Sequence, residues 1–539
     1  MCTNIEYSYD AGRLTLRPFD TAGEFHPVAT GSKLRRVAVR GAGISILAAG
    51  VAFLAQVVWT MVLARLLTPS DFGVVTMVNT FSLLLCSFGW SGFMEVVLQR
   101  ESITDSLASN LFWITVGGGV ILTVFFACLG PLLARFYHDS LVRDVTIGMS
   151  LTIITSSTSV IHSSLLNRAT RYKAVSINGL VARLVGFLVS IILALAGWSY
   201  WALVAGNIVE QVSKSLGTFF LCPWIPSLPR KVPGTAEAVK FAMSIYMRRC
   251  FSYASGNADN LLVGWRFGAA ALGFYKRAFD LFWLPANQLL APMTAIAVGT
   301  LSRFSQDRAG YQRHFLAGIS SLAFVGMGIG ADFALVGKDM ILFLLGPRWV
   351  EAGRIFTIFG LGIGVMMLYQ THVWIHVSIG RPDRSFRWGI FEFIWTVGLF
   401  VIALPWGPRG IAAAWTISFF TLIVPAFWYA GKPIGLRAMS IVSVTWKFLV
   451  ASALAGFGSM WLIQVAPLFA NTSGSIGAFE RAISNSVLFF ALYLLAVLIL
   501  HRSFAPFRQS ALLIKEMLPE RFATRLKLAE PTVTLESQA

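Results

Sequence analysis

Charge is what this chain has least of. Asp, Glu, Lys and Arg together make up 13% of its 539 residues, against 56% hydrophobic residues and a mean hydropathy of +0.70. That balance excludes a soluble globular protein. Long polar stretches are missing too. No loop between the hydrophobic segments exceeds about twenty residues, which leaves no room for a soluble catalytic domain. There is no G-x-x-x-x-G-K-[ST] phosphate loop, so ATP hydrolysis by that route is excluded, and no H-E-x-x-H. Cysteine is scarce. Cys2, Cys86, Cys128, Cys222 and Cys250 form no disulfide or metal-binding spacing. Residues 1–32 contain no apolar core of a signal peptide, so no cleaved leader is expected.

What remains is about fourteen hydrophobic segments, most of them long enough to cross roughly 30 Å of hydrocarbon as helices. They cover 44–63, 72–93, 111–133, 145–166, 175–195, 202–221, 241–263, 281–301, 315–336, 355–379, 388–404, 411–430, 444–465 and 484–500. Inside lipid every backbone amide must bond internally, so the expected fold class is all-α, a polytopic membrane protein. Acidic residues are also few, 25 against 43 basic ones. With the N-terminus placed in the cytoplasm, Lys and Arg near segment ends divide about 23 to 10 between cytoplasmic and outer loops. The alternation supports an even span number and two cytoplasmic termini. The net charge of +18 then reflects orientation and anionic headgroups. A nucleic-acid partner is not expected, because the basic residues are spread over loops and tails.

An internal repeat divides the chain. Residues 62–75 read VLARLLTPSDFGVV and 261–278 read LLVGWRFGAAALGFYKRA. Each has an apolar run, one arginine (Arg65, Arg266), a short turn, and then a glycine (Gly73, Gly273) where the next segment begins. Two six-span halves of the same topology, plus two additional C-terminal spans, follow from this. Such halves are related by an axis along the membrane normal and enclose a site between them. The expected organisation is a disordered cytoplasmic tail (1–32), an N-terminal six-helix bundle (33–225), a C-terminal six-helix bundle (226–440), two further helices (441–501) and a basic cytoplasmic tail (502–539).

Three stretches carry a resemblance to a known family: LARLLTPSDFGVVTM (63–77), ADNLLVGWRFGAAALGFYKRAFDL (258–281) and LFLLGPRWVEAGRIFTIFGL (342–361). They resemble the oligosaccharide flippases of the polysaccharide transport family, in the superfamily that also holds multidrug extruders and peptidoglycan-precursor flippases. The resemblance spans roughly residues 34–460. It implies two six-helix bundles around a central cleft. It also implies an undecaprenyl-pyrophosphate-linked oligosaccharide as cargo in lipopolysaccharide or exopolysaccharide biosynthesis, no enzymatic activity, and a location in the cell inner membrane. A polysaccharide polymerase and chain-length proteins would be the partners. A multidrug antiporter on the same scaffold would carry a deep carboxylate in the first span, where only Gln56 stands. A membrane-embedded polymerase would need a larger outer loop.

An ionisable group in a span costs at least about 2.5–3.5 kcal/mol unless it faces protein or water, so each one is a candidate site residue. In 241–263, Ser244, Arg248, Ser252, Ser255 and Asp259 recur every three or four residues on one helical face, with Arg249, Asn257 and Asn260 beside them. Either this face lines a wet cleft or the arginines snorkel to the headgroups. Arg183 lies mid-span among Gly179, Gly186 and Ser190, and reads as a cleft residue or a structural arginine. The substrate-binding candidates are Arg183, Arg248, Arg249, Ser252, Asp259, Asn260 and Arg277. The guanidinium fork suits pyrophosphate oxygens. Asp259, Glu210 and Glu392 are the candidates for a coupling proton or sodium ion; Glu210 also stands four residues before Lys214, in pairing order. Asp332 lies near an outer end and reads as solvated. His372 and His376 stand four apart, but no third ligand is near, so they read as a structural or lumen-lining pair. No metal or cofactor is expected.

Overall fold

A computed structural model describes residues 15–25, 50–465, 474–504 and 507–508. The start of the first expected span and most of both tails lie outside the described residues. The first half holds helices α1 (Gly50–Leu66), α2 (Pro69–Trp90), α3 (Phe93–Gln99), α4 (Asp105–Tyr137), α5 (Leu141–Arg168), α6 (Tyr172–Leu195) and α7 (Tyr200–Leu221). Then follow α8 (Thr235–Ser255), α9 (Ala258–Arg303), α10 (Arg308–Leu345), α11 (Val350–Gln370), α12 (His372–Ser378), α13 (Pro382–Ala403), α14 (Gly407–Gly431), α15 (Ala438–Val465) and α16 (Gly474–His501). Among the described residues ten helical stretches are long and apolar enough to cross a membrane. The protein is a multi-pass helical membrane protein.

Local chemistry explains where the helices start and break. The T-P-S-D sequence before α2 is a capping box. Thr68 Oγ1 accepts from the Asp71 amide (3.3 Å), and the Asp71 carboxylate accepts from the Thr68 amide (2.8 Å), with Pro69 in the first turn. Asp307 caps α10 by accepting from the Gly310 amide (3.0 Å). The segment expected at 241–263 is interrupted. Helix α8 ends at Ser255, and α9 begins at Ala258 after a Gly256–Asn257 turn. Helix α9 is itself broken at Gly268, whose φ of +78° is costly for any residue with a Cβ. Its second part therefore begins well before the expected 281 and carries Pro285 and Pro292.

Helices α2 and α9, which carry the two copies of the repeated motif, pack against each other. Gly73 packs on the Ala269 backbone and Gly273 packs on the Pro69 backbone; a methyl group at either glycine would run into the facing carbonyl. The repeated motif therefore makes a reciprocal contact, each glycine against the other copy's backbone. Trp349 reinforces the same end by donating from Nε1 to the Ala64 carbonyl (2.8 Å). Arg65 donates there to the Phe343 carbonyl (2.9 Å).

At the other end α8 bridges the two groups of helices: Phe251 packs on Phe386 of α13 (5.7 Å), while the rest of the helix turns to the preceding ones. It packs on α2, α3 and α4: Tyr246 lies edge-on to Phe88 (5.2 Å), and Gly92 faces the Ala242 backbone. The reason is the preceding linker, which is hydrogen-bonded along the first turns of α4. Asn110 both donates to the Arg230 carbonyl (2.7 Å) and accepts from its amide (3.0 Å). Trp224 Nε1 donates to Asp105 (2.6 Å), and Arg100 donates to the Gly234 carbonyl (2.8 Å). The expected bundle boundary at 225/226 thus falls inside an ordered strap. The expected disordered tail is ordered in part as well. Within it, Glu24–Phe25 pairs antiparallel with Ile103–Thr104, and Phe19 rests on Trp224 (5.6 Å) because these apolar side chains cover the strap. Helices α15 and α16 pack on each other and on α10.

Candidate functional site

A cavity of about 700 Å³ lies between α8, α9, α12, α13 and α14. The turn that interrupts the expected seventh span opens onto it, since Gly256, Asn257 and Asp259 all line its wall. One wall is polar and mixed in charge. Arg248, Ser252 and Ser255 come from α8, Asp259 and Lys276 from α9, and Glu392 from α13. Of the expected stripe, Arg248, Ser252 and Ser255 on α8 and Asp259 on α9 line the cavity, and Ser244 does not. Arg248 is exposed into it and Ser252 follows one turn on. Arg249 is also exposed but lies outside the lining, as a residue 100° further round the helix must.

Asp259 is 4% exposed. Its carboxylate accepts from the Tyr275 hydroxyl (2.8 Å) and the Asn260 amide (2.8 Å), which fixes it at the start of α9. Asn260 turns away from the cavity and donates to Asn257 Oδ1 (3.1 Å). Lys276 reaches Asp280 (2.8 Å), which also holds Arg277 (3.3 Å). Glu392 faces the Tyr369 hydroxyl, which accepts from Trp388 Nε1 (2.8 Å). It thus has a hydroxyl for a partner rather than a cation. His372 lines the cavity with one ring nitrogen held by the Tyr369 carbonyl (2.6 Å), while His376 is sealed inside with neither ring nitrogen bonded. Among the described residues no group of three or more His, Cys, Asp and Glu could hold a metal.

A second cavity of about 190 Å³ lies within the first half, lined by α1, α2, α6 and α7 and closed by Arg277 and Asp280 of α9. Arg277 lies over the Phe72 ring (4.8 Å), and its Nε is buried without a partner. Glu210 also lines this cavity and pairs with Arg183 (3.7 Å). Lys214, the partner expected from spacing, sits over the Trp90 ring instead (4.4 Å). The site candidates are thus divided. Arg248, Ser252, Asp259 and Glu392 share the large chamber, while Glu210 and Arg277 share the small one. Arg183, Arg249 and Asn260 line neither.

Three features escaped the sequence reading. Asp332 is buried, not solvated, and accepts from Ser486 of α16 (3.1 Å). The large chamber has an aromatic side, with Phe279, Trp283, Trp415 and Phe419, that no polar residue in those segments signals. Asn79 and Asn207, single amides in apolar spans, meet in the small cavity.

The family described as polysaccharide biosynthesis protein matches residues 62–354. The teichuronic acid biosynthesis protein TuaB of Bacillus subtilis is 22% identical over 301 residues, which cover 55% of this chain and 62% of that protein, under two thirds of its length. The succinoglycan biosynthesis transport protein ExoT of Rhizobium meliloti is 20% identical, covering 67% of this chain and 74% of that protein. The lipopolysaccharide biosynthesis protein WzxC of Escherichia coli is 19% identical, covering 73% and 82%. Among solved structures, the lipid II flippase MurJ in an inward closed conformation superposes with a TM-score of 0.68 at 13% identity, covering 85% of this chain and 98% of its own. An inward-facing multidrug transporter of the MATE family superposes with a TM-score of 0.58 at 14% identity, covering 71% and 94%. These two likenesses concern the fold.

Proposed function

The chain belongs to the polysaccharide biosynthesis protein family, and from that membership we propose that it is a flippase. In this reading it moves undecaprenyl-pyrophosphate-linked oligosaccharide repeat units from the cytoplasmic to the outer leaflet of the inner membrane, for lipopolysaccharide or exopolysaccharide synthesis. The observation that carries the reading is the large chamber: a polar, partly aromatic space inside an otherwise apolar helical protein, with an arginine on its lining. A sugar hydroxyl taken unpaired into hydrocarbon costs several kcal/mol, and a polar-walled chamber removes that cost while the lipid tail stays in the bilayer.

Fourteen spans are the proposed count. Taking α13 and α14 separately and adding α1, α7 and α8 to the remaining apolar stretches gives that number. Both termini are then cytoplasmic, and the end closed by Gly73, Gly273 and Trp349 faces outward. The functional halves are 33–225 and 226–440, with α8 riding on the first, and 441–501 supplies two extra spans. Arg248 attracts the pyrophosphate at the chamber with Arg249 beside it on α8, Ser252 lies on the polar wall, Asn260 braces that wall from behind through Asn257, and Arg183 acts from outside both cavities through its pair with Glu210. Arg277, which closes the small cavity, offers a second anionic position there. The halves then rock about the α2–α9 contact from inward-open to outward-open. A cell interior negative by 100 mV supplies about 2.3 kcal/mol per exported negative charge, so a doubly charged pyrophosphate gains about 4.6 kcal/mol without ATP. Of the coupling candidates Asp259, Glu210 and Glu392, the last has no cationic partner and is the favoured proton carrier. A polymerase and chain-length proteins would receive the exported unit.

The experiment is the double substitution Arg248→Ala with Arg249→Ala. It is expected to abolish surface polymer while the protein level holds. Normal polymer would remove these residues from the mechanism.

A further inference from the structure

The large chamber has an aromatic side whose rings hold one another in place. Phe279 lies nearly parallel to Trp283 (5.9 Å) and edge-on to Trp415 (5.8 Å), and Trp415 meets Phe419 edge-on (4.5 Å). Rings braced in this way present their open faces and edges at fixed angles. The second observation concerns their indole nitrogens. Other tryptophans buried in the second half donate to named acceptors: Trp349 to the Ala64 carbonyl, Trp374 to Thr294 Oγ1, and Trp388 to the Tyr369 hydroxyl. Trp283 and Trp415 have no hydrogen-bond partner among the described residues, and neither nitrogen is walled off from the chamber. Trp415 is only 8% exposed and lines the chamber, yet its indole nitrogen is not sealed among protein atoms.

Buried indole N–H groups ordinarily find an acceptor inside the protein. Two left open in one chamber call for a ligand that brings acceptors with it and also has a flat apolar face. A pyranose ring has both: axial C–H groups that stack on an aromatic face, and a rim of hydroxyl oxygens that accept from N–H. A lipid tail has the apolar surface without the acceptors, and a pyrophosphate has the acceptors without the face.

We propose that Trp415 and Trp283 form a sugar-reading platform, so that selectivity for the saccharide resides in the second half of the protein, apart from the groups that hold the pyrophosphate. The proposal rests on the flippase reading above. It makes the chamber selective for the sugar portion of the cargo and not only for its charge.

The test uses the full chain in lipid nanodiscs and two probes. One is the lipid-linked saccharide extracted from a strain lacking this protein; the other is undecaprenyl pyrophosphate without sugar. Trp415→Ala is expected to weaken binding of the saccharide-bearing probe about tenfold or more and to change binding of the bare probe by less than about twofold. Trp415→Phe, which keeps a ring and loses the N–H, is expected to fall between. Trp283→Phe, at a less buried position, gives the same readout should Trp415→Ala fail to fold. Equal weakening of both probes, or unchanged affinity for the saccharide-bearing one, would overturn the platform. If the unsubstituted protein binds neither probe, the flippase reading itself fails and the platform falls with it.

Discussion

Arg248 and Arg249 are neighbours in sequence with the same charge, yet only one of them lines the chamber. Loss of a charge-assisted hydrogen bond typically costs about 1.5–3 kcal/mol, or roughly ten- to a hundredfold. Arg248→Ala alone is therefore expected to lower surface polymer by that order, and Arg249→Ala by much less, as measured by polymer yield at matched protein level. The α8 stripe was legible because three- and four-residue spacing defines a helical face wherever the helix lies. The pairings were not. Glu210 with Arg183, Glu392 with Tyr369, and Asp332 with Ser486 each join side chains on different helices. No periodicity within one segment encodes such a meeting. Glu392→Gln keeps the shape and removes the ionisable proton. It is expected to leave the protein folded while transport loses its dependence on an imposed proton gradient, read in proteoliposomes.

At the scale of elements, the repeat was legible down to its glycines. Pro69 and Ala269 each open a helix, and Gly73 and Gly273 each stand one turn in, against the other's backbone. Overpacking such a contact typically costs about 1–3 kcal/mol. Gly73→Ala and Gly273→Ala are each expected to lower the melting temperature of the purified protein and to reduce polymer. Gly398→Ala, with open space around it, should do neither. The attachment of α8 was not legible, because it depends on the strap before it. Asn110, Asp105 and Arg100 bind that strap by contacts that no periodicity encodes. Asn110→Ala leaves the Arg230 amide and carbonyl without this partner, and a loss of about 1–3 kcal/mol in stability is expected, measurable by thermal unfolding.

At the scale of the whole molecule, hydropathy and the positive-inside bias led to a polytopic helical protein with two related halves. The ten apolar stretches agree with the polytopic helical part of that outline. Helices α7 and α8 fall outside the ten apolar stretches, and each contributes to a cavity wall, α7 to the small one and α8 to the large one, alongside more apolar helices. Polar walls lower the very signal that identifies a span. The account's central claim is that the cargo crosses the bilayer through this protein. Its most direct test is the leaflet distribution of lipid-linked saccharide in a deletion strain and its complemented counterpart. The account predicts that repeat units accumulate on the cytoplasmic leaflet and surface polymer is lost, both restored on complementation. Repeat units reaching the outer leaflet unpolymerised in the deletion strain would contradict it, because the missing step would then lie after flipping.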